Sequence, residues 1–206
     1  MRCSVLANFE VCDIFSRYFA KLRHVSCNAS KITHKTKMMN QELNKFEKLL
    51  FGTTLSQISN LIEDEEAKEY FGYNFQTEKL NFKFRKAKIT PKKVGQFVTL
   101  WKRNSQKETE PFNEYDNFDF YIIVTEENEN YGFFLFPKNE LIKRQILTTN
   151  SKEGKRGFRV YPNWTKTENK QAAKTQIWQT RYFLDFTKEN NENHMRLSKI
   201  LNSHYS

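Results

Sequence analysis

Two runs of almost unbroken apolar residues, Phe118–Val124 (FDFYIIV) and Tyr131–Phe136 (YGFFLF), are joined by the short polar stretch Glu126–Asn130. A strand that is apolar on both faces has to be covered on both faces. Two such strands linked by a polar turn form a hairpin. The pattern therefore demands a hairpin at the centre of a sheet with other layers packed against it. Asp119 is the one charged residue inside those runs, and an ionised carboxylate there is costly without a partner.

The rest of the chain can be arranged around that hairpin. Residues 1–37 hold all three cysteines (Cys3, Cys12 and Cys27) and share none of the later pattern. Two accounts fit them: a short amphipathic helix around Phe9–Leu22, or translated upstream sequence with Met38 or Met39 as the start. Residues 38–188 read as one domain and residues 189–206 as a polar tail. Asn40 can cap a helix containing Leu43, Phe46, Leu49 and Leu50. A second helix is expected over Leu55–Ala67, ending in the acidic run Glu63-Asp64-Glu65-Glu66. Phe82–Ile89 reads as a strand whose apolar phase slips near Lys86, which points to a bulge there.

Thr90-Pro91 has the form of a helix start, with Thr as N-cap and Pro at the first helical position. Val94, Phe97, Val98 and Trp101 follow at helical spacing. Lys138–Gln145 reads as a short helix, Gly157–Pro162 as a strand and Glu168–Phe186 as a long helix. Alternating helices and strands of this kind give an α/β domain with a mixed sheet.

Charge is distributed unevenly. Phe82–Arg103 carries Lys83, Arg85, Lys86, Lys88, Lys92, Lys93, Lys102 and Arg103 and no acid, whereas Glu110–Asn130 carries seven acids and no base. Over the whole chain 34 Lys and Arg face 24 Asp and Glu, a formal charge of +10. A folded basic surface points to an anionic partner, nucleic acid first. A second basic set, Lys152, Lys155, Arg156, Arg159, Lys166, Lys170 and Lys174, is interleaved with Phe158, Tyr161 and Trp164, a pairing that suits phosphate contact and base stacking. These aromatics fit a core equally well, and Trp164, in a Pro-Asn-Trp-Thr loop, is expected to be the most exposed of them.

Five separated blocks carry a family resemblance: AKITPKKVGQFVTLWKR (Ala87–Arg103), PFNEYDNFDFYIIV (Pro111–Val124), YGFFLFPK (Tyr131–Lys138), and GKRGFRVYPNW followed by KTQIWQTRYF. Together they resemble the MepB-like family over roughly residues 70–186. The resemblance implies a three-layer α/β fold, a mixed central sheet flanked by helices, similar to restriction-endonuclease-like domains. Nucleases of that fold hold a divalent metal with an Asp on one central strand and an acid-x-Lys pair on the next. Asp119 is the candidate first acid and Lys138 the candidate lysine, but Phe136 stands where the second acid belongs. Two readings of Asp119 stand open: a ligand for Mg²⁺, or a structural acid paired with Lys86 or Lys88.

Other chemistries lack their residues. The sequence has no Gly-rich phosphate loop, nucleophile elbow or His-Glu-x-x-His motif. The residues expected to contact nucleic acid, DNA above RNA, are Lys86, Lys88, Lys92, Lys93, Lys102, Arg103, Arg156, Arg159, Trp164 and Lys174. A binding domain with a degenerate metal site and no cofactor is the first expectation. A Mg²⁺-dependent nuclease, or a binder of nucleotides and other anionic small ligands, is the alternative. Nothing approaches the roughly 18 continuous apolar residues of a membrane span. The absence of cysteine after Cys27 suits a reducing, cytoplasmic compartment.

Overall fold

The computed structural model describes residues 59–77, 80–188 and 192–203. The expectations for residues 1–37 and for the helix capped by Asn40 lie outside the described residues. The strands are β1 (Ser59–Glu63), β2 (Tyr73–Gln76), β3 (Asn81–Lys86), β4 (Lys88–Thr90), β5 (Lys93–Thr99), β6 (Trp101–Arg103), β7 (Thr109–Pro111), β8 (Phe120–Glu127), β9 (Asn130–Pro137), β10 (Gly157–Val160) and β11 (Phe183–Asp185). The helices are α1 (Lys138–Lys143), α2 (Lys170–Gln179) and α3 (Glu192–Asn202).

The central sheet runs β1-β2-β3-β8-β9-β11. It is mixed, because β3 and β8 are parallel while its other pairs are antiparallel. The expected hairpin lies inside it, with β8 and β9 in register from Phe120↔Pro137 to Glu127↔Asn130. Every residue from Phe120 to Thr125 and from Tyr131 to Pro137 is buried. On one face Tyr121, Ile123, Phe134 and Phe136 join a core with Val98, Leu100, Phe158 and Trp178. Phe136 is its aromatic hub, with ring centroids 5.2 Å from Phe134, 5.3 Å from Trp178 and 5.9 Å from Tyr182. On the other face Phe82 stacks between Phe75 and Phe120 at 5.0 and 5.6 Å. Aromatics supply core volume through large buried areas and offset ring pairs.

The segment after β3 departs from the helix expected there. It is a hairpin, β4–β5, turned by Pro91 and Lys92 between the paired Thr90 and Lys93. Proline favours the second position of a turn as readily as the first turn of a helix. The apolar spacing of Val94, Phe97, Val98 and Trp101 was ambiguous, and period two wins: Gln96, Val98 and Leu100 are the buried set. Gly95, at φ +80°, allows the strand to kink where an added Cβ would lie 2.5 Å from the Tyr161 ring. The slip of apolar phase near Lys86 is not a bulge. It marks the point where the chain leaves the central sheet for a second one, ordered β10-β5-β4.

Three further expectations are corrected. The described part of Leu55–Ala67 is β1 followed by a 3-10 turn, Glu65–Tyr70, capped by Asp64. The long helix expected to Phe186 stops at Gln179, passes through a 3-10 turn and becomes β11, because Phe183 and Leu184 are needed at the edge of the central sheet. The supposed polar tail contains α3, which buries Leu197, Ile200 and Leu201.

Candidate functional site

The folded chain brings acids to the basic run that contains none. Lys86 pairs with Glu126 at 2.6 Å and Lys88 with Glu69 at 3.3 Å. Lys102 meets Asp116 at 2.5 Å and Glu110 at 3.5 Å. Arg103 Nε lies 3.6 Å from Glu66, whose carboxylate also accepts from the Arg103 backbone N–H. Arg85, only 2% exposed, pairs with Asp64 at 3.0 Å. Lys83 donates to Asn74 at 2.8 Å and lies over the Phe112 ring. Burial pushes its amine below the ordinary lysine value. Six of the eight cations in Phe82–Arg103 are therefore engaged inside the fold. The remaining two, Lys92 and Lys93, stand exposed on the β4–β5 turn.

The second basic set divides in the same way. Arg156 pairs with Glu153 at 3.0 Å and donates to the Thr109 carbonyl. Arg159 meets no carboxylate among the described residues. Its Nη1 donates to the carbonyls of Lys93 and Gly95 at 3.2 and 2.9 Å, and its Nη2 to Thr90 Oγ1 at 2.6 Å. Its charge is thus held in place by neutral acceptors and left uncompensated. That clamp fixes the turn carrying Lys92 and Lys93. Lys174 is exposed on α2. Trp164 is half-buried rather than exposed: it packs edge-on to Phe183 at 5.2 Å and donates to Glu127 at 3.1 Å. Phe158 is in the core, and Tyr161 lies against Gly95.

A groove of about 490 Å³ opens between β10 and α2. Its charged lining residues are Lys93, Arg144, Lys155 and Arg159, with no acid among them. Gln179, fully buried on α2, anchors the helix to the free edge of β10. Its carbonyl accepts from the Tyr161 N–H and its amide donates to the Arg159 carbonyl, both at 2.9 Å. Arg144, the C-cap of α1, enters from the far side, with its Nε on Glu140 at 2.7 Å and its guanidinium over Trp178 at 4.9 Å. Sequence reading missed Arg144. Its one visible signal was a cation at a helix C-terminus, which is common for reasons of the helix dipole alone.

Asp119 and Lys138 meet at the other end of the hairpin. The Lys138 N–H donates to the Asp119 carbonyl at 2.8 Å, so the two sit opposite each other where β8 begins and β9 ends. Their side chains diverge in role. Asp119 Oδ2 accepts from the backbone N–H of Asn81 at 2.7 Å. Lys86, whose Cα partner on β8 is Val124, lies at the opposite end of β3 from Asn81. Lys86 and Lys88 take Glu126 and Glu69 instead. Lys138 Nζ donates to the Asp116 carbonyl at 2.6 Å and lies over Phe118. Burial lowers its affinity for a proton, with Asp116, Asp119 and Glu114 opposing that shift. Phe136, in the place of a second acid, is fully buried at the aromatic hub. Among the described residues no group of three His, Cys, Asp or Glu could hold a metal ion. Among the described residues the acid-x-Lys pair that the resemblance implies is incomplete, because Phe136 stands where its carboxylate belongs.

Comparison with known proteins identifies the family. The MepB-like family model matches residues 64–185, from the partner of Arg85 to the end of β11. The crystal structure of MepB is 33% identical with a TM-score of 0.64, the match covering 72% of this chain and 99% of that one. A bacterial homing endonuclease is 17% identical with a TM-score of 0.41, over 72% of this chain and 91% of that one. None of the curated proteins compared with the sequence matches it. Because the family match spans every strand of the central sheet but β1, the second sheet and the groove between β10 and α2, the chain belongs to the MepB-like family.

Proposed function

We propose that the chain binds nucleic acid, DNA in the first instance, through the surface formed by the β4–β5 turn, β10 and α2. One observation carries this reading. Most of the basic run is neutralised within the fold, yet Lys92, Lys93, Arg159 and Lys174 on these adjoining elements, and Lys155 just before β10, stand free of carboxylates among the described residues. Uncompensated cations on neighbouring elements attract a polyanion by releasing its counterions. The restriction-endonuclease-like fold that the family resemblance implies is in keeping with such a partner. Metal-dependent cleavage is the weaker reading, since Phe136 removes the second acid and Asp119 is already used by Asn81. The surface offers phosphate contact without base readout, because Phe158, Tyr161 and Trp164 are committed to the protein itself. Among the described residues no helix is long and apolar enough to cross a membrane, and the cytoplasm is the compartment that suits the cysteine usage.

The test is an anisotropy titration of labelled DNA and RNA at several salt concentrations. Affinity should fall with a log–log slope of roughly −0.9 per phosphate neutralised. Replacing Lys92, Lys93 and Lys174 together by Glu should abolish binding. Unchanged binding by that variant, or binding that ignores salt, overturns the proposal.

A further inference from the structure

We infer that the groove between β10 and α2 is a phosphomonoester site, which takes the terminal phosphate of a nucleic-acid strand or of a mononucleotide. This rests on the nucleic-acid reading for its polymer form only. The groove differs from the open surface beside it in three ways. Its volume of about 490 Å³ lies inside the roughly 300–1,000 Å³ range of small-ligand sites. Its charged lining residues are two arginines and two lysines, with no acid among them. Its walls are fixed: Gln179 fastens α2 to β10, and Arg159 is held by three neutral acceptors.

Three of the four lining cations keep donors unused among the described residues. Arg144 uses Nε on Glu140, and its two Nη groups make no hydrogen bond among the described residues. Lys93 and Lys155 likewise have no side-chain partner there. Guanidinium forks match phosphate oxygens in pairs. Asn169 also lines the groove. Its side chain caps α2 by accepting from the Ala172 N–H, and the first turn of that helix contains no acid. A phosphomonoester carries about −1.5 to −2 charges at pH 7, whereas a chain diester carries one. A recess lined by four cations therefore favours an end over the middle of a strand. The polymer beyond the end would follow Lys92 and Lys174 outside the groove.

The experiment compares one oligonucleotide with a 5′-phosphate, a 3′-phosphate or hydroxyl ends, with AMP as the mononucleotide probe. The phosphorylated strands should bind at least tenfold more tightly than the hydroxyl-ended one, and AMP should compete. In Lys93→Ala/Lys155→Ala that preference should fall to near unity. In Lys92→Ala/Lys174→Ala both kinds of strand should weaken together and the preference should persist. Equal affinity for all ends overturns the phosphomonoester site and leaves the nucleic-acid reading intact. Binding of AMP with no gain from strand length supports the site and overturns the polymer reading. No binding of any probe overturns both.

Discussion

The Arg85 guanidinium, 2% exposed near the end of β3, donates to Asp64 Oδ2 at 3.0 Å. Its other amino group is held by the carbonyl and hydroxyl of Thr99 at 2.9 and 2.7 Å. A buried cation in the central sheet is thereby tied to both the capped 3-10 turn and β5. Asp64 is also the cap itself, accepting from the Glu66 N–H. Breaking a buried pair leaves a charge in low dielectric, which costs about 3–5 kcal/mol. Asp64→Ala should lose that much in urea unfolding, toward the lower end because the Asp64 side chain is 16% exposed. Asp64→Ala combined with Arg85→Met should recover most of the loss, since no lone charge remains. An Asp64→Ala loss below about 1 kcal/mol, the scale of an exposed pair, would show that the pair is screened.

The β4–β5 turn gives a second prediction. Arg159 holds it by three hydrogen bonds, and Gly95 lets it kink against Tyr161. Gly95→Ala meets both a positive φ and a ring at 2.5 Å. A substitution in an incompatible backbone conformation destabilises by more than about 1 kcal/mol. Thermal unfolding should show that loss. Hydrogen exchange should show faster opening of β5, with β8 and β9 unaffected. A neutral Gly95→Ala would mean that the kink is not required.

The central hairpin was legible because its signal is local. Residues 118–136 carry two apolar runs and a polar turn, and no other structure hides them. The β4–β5 hairpin was illegible for a physical reason. Val94, Phe97, Val98 and Trp101 satisfy a helical stripe, while Gln96, Val98 and Leu100 satisfy an alternating one. The pairing of β5 on both sides, with β4 and with β10 about 60 residues away in sequence, decides between them. The basic surface was misjudged on the same grounds. The acids that neutralise Lys86, Lys88, Lys102 and Arg103 arrive from 8 to 40 residues away, and none of them lies inside the basic run. Asp119 and Lys138 stand opposite each other through a backbone hydrogen bond, because the hairpin register that joins them follows from the turn.

Lys83 gives a third prediction, in pH. Burial on Phe112 lowers the affinity of its amine for a proton below the ordinary value of 10.5. The folded state then releases this proton at lower pH than the unfolded chain does. Between those two values the unfolded state binds more protons, so stability rises with pH. The penalty of burying the charged amine is fully present below that window. Lys83→Met should therefore flatten the alkaline side of the stability profile. An unchanged slope between wild type and Lys83→Met would mean that Lys83 titrates as a solvated lysine.

Asp119 separates a structural acid from a metal ligand. Its Oδ2 accepts from the Asn81 N–H at 2.7 Å at the point where β3 and β8 begin to run in parallel. Removing an acceptor from a partly buried N–H costs about 1–3 kcal/mol. Asp119→Ala should lose that amount, while Asp119→Asn, which keeps an oxygen acceptor, should lose less. A metal ligand behaves differently. A bound ion at a hundredfold excess over its Kd stabilises the folded state by about 2.7 kcal/mol. That gain should vanish in Asp119→Asn as well as in Asp119→Ala. With Phe136 buried in place of a second acid, Mg²⁺ and Mn²⁺ should leave the Tm of the wild type unchanged. A metal-dependent rise in the wild type that Asp119→Asn abolishes would restore the nuclease reading and place its ion at the start of β8.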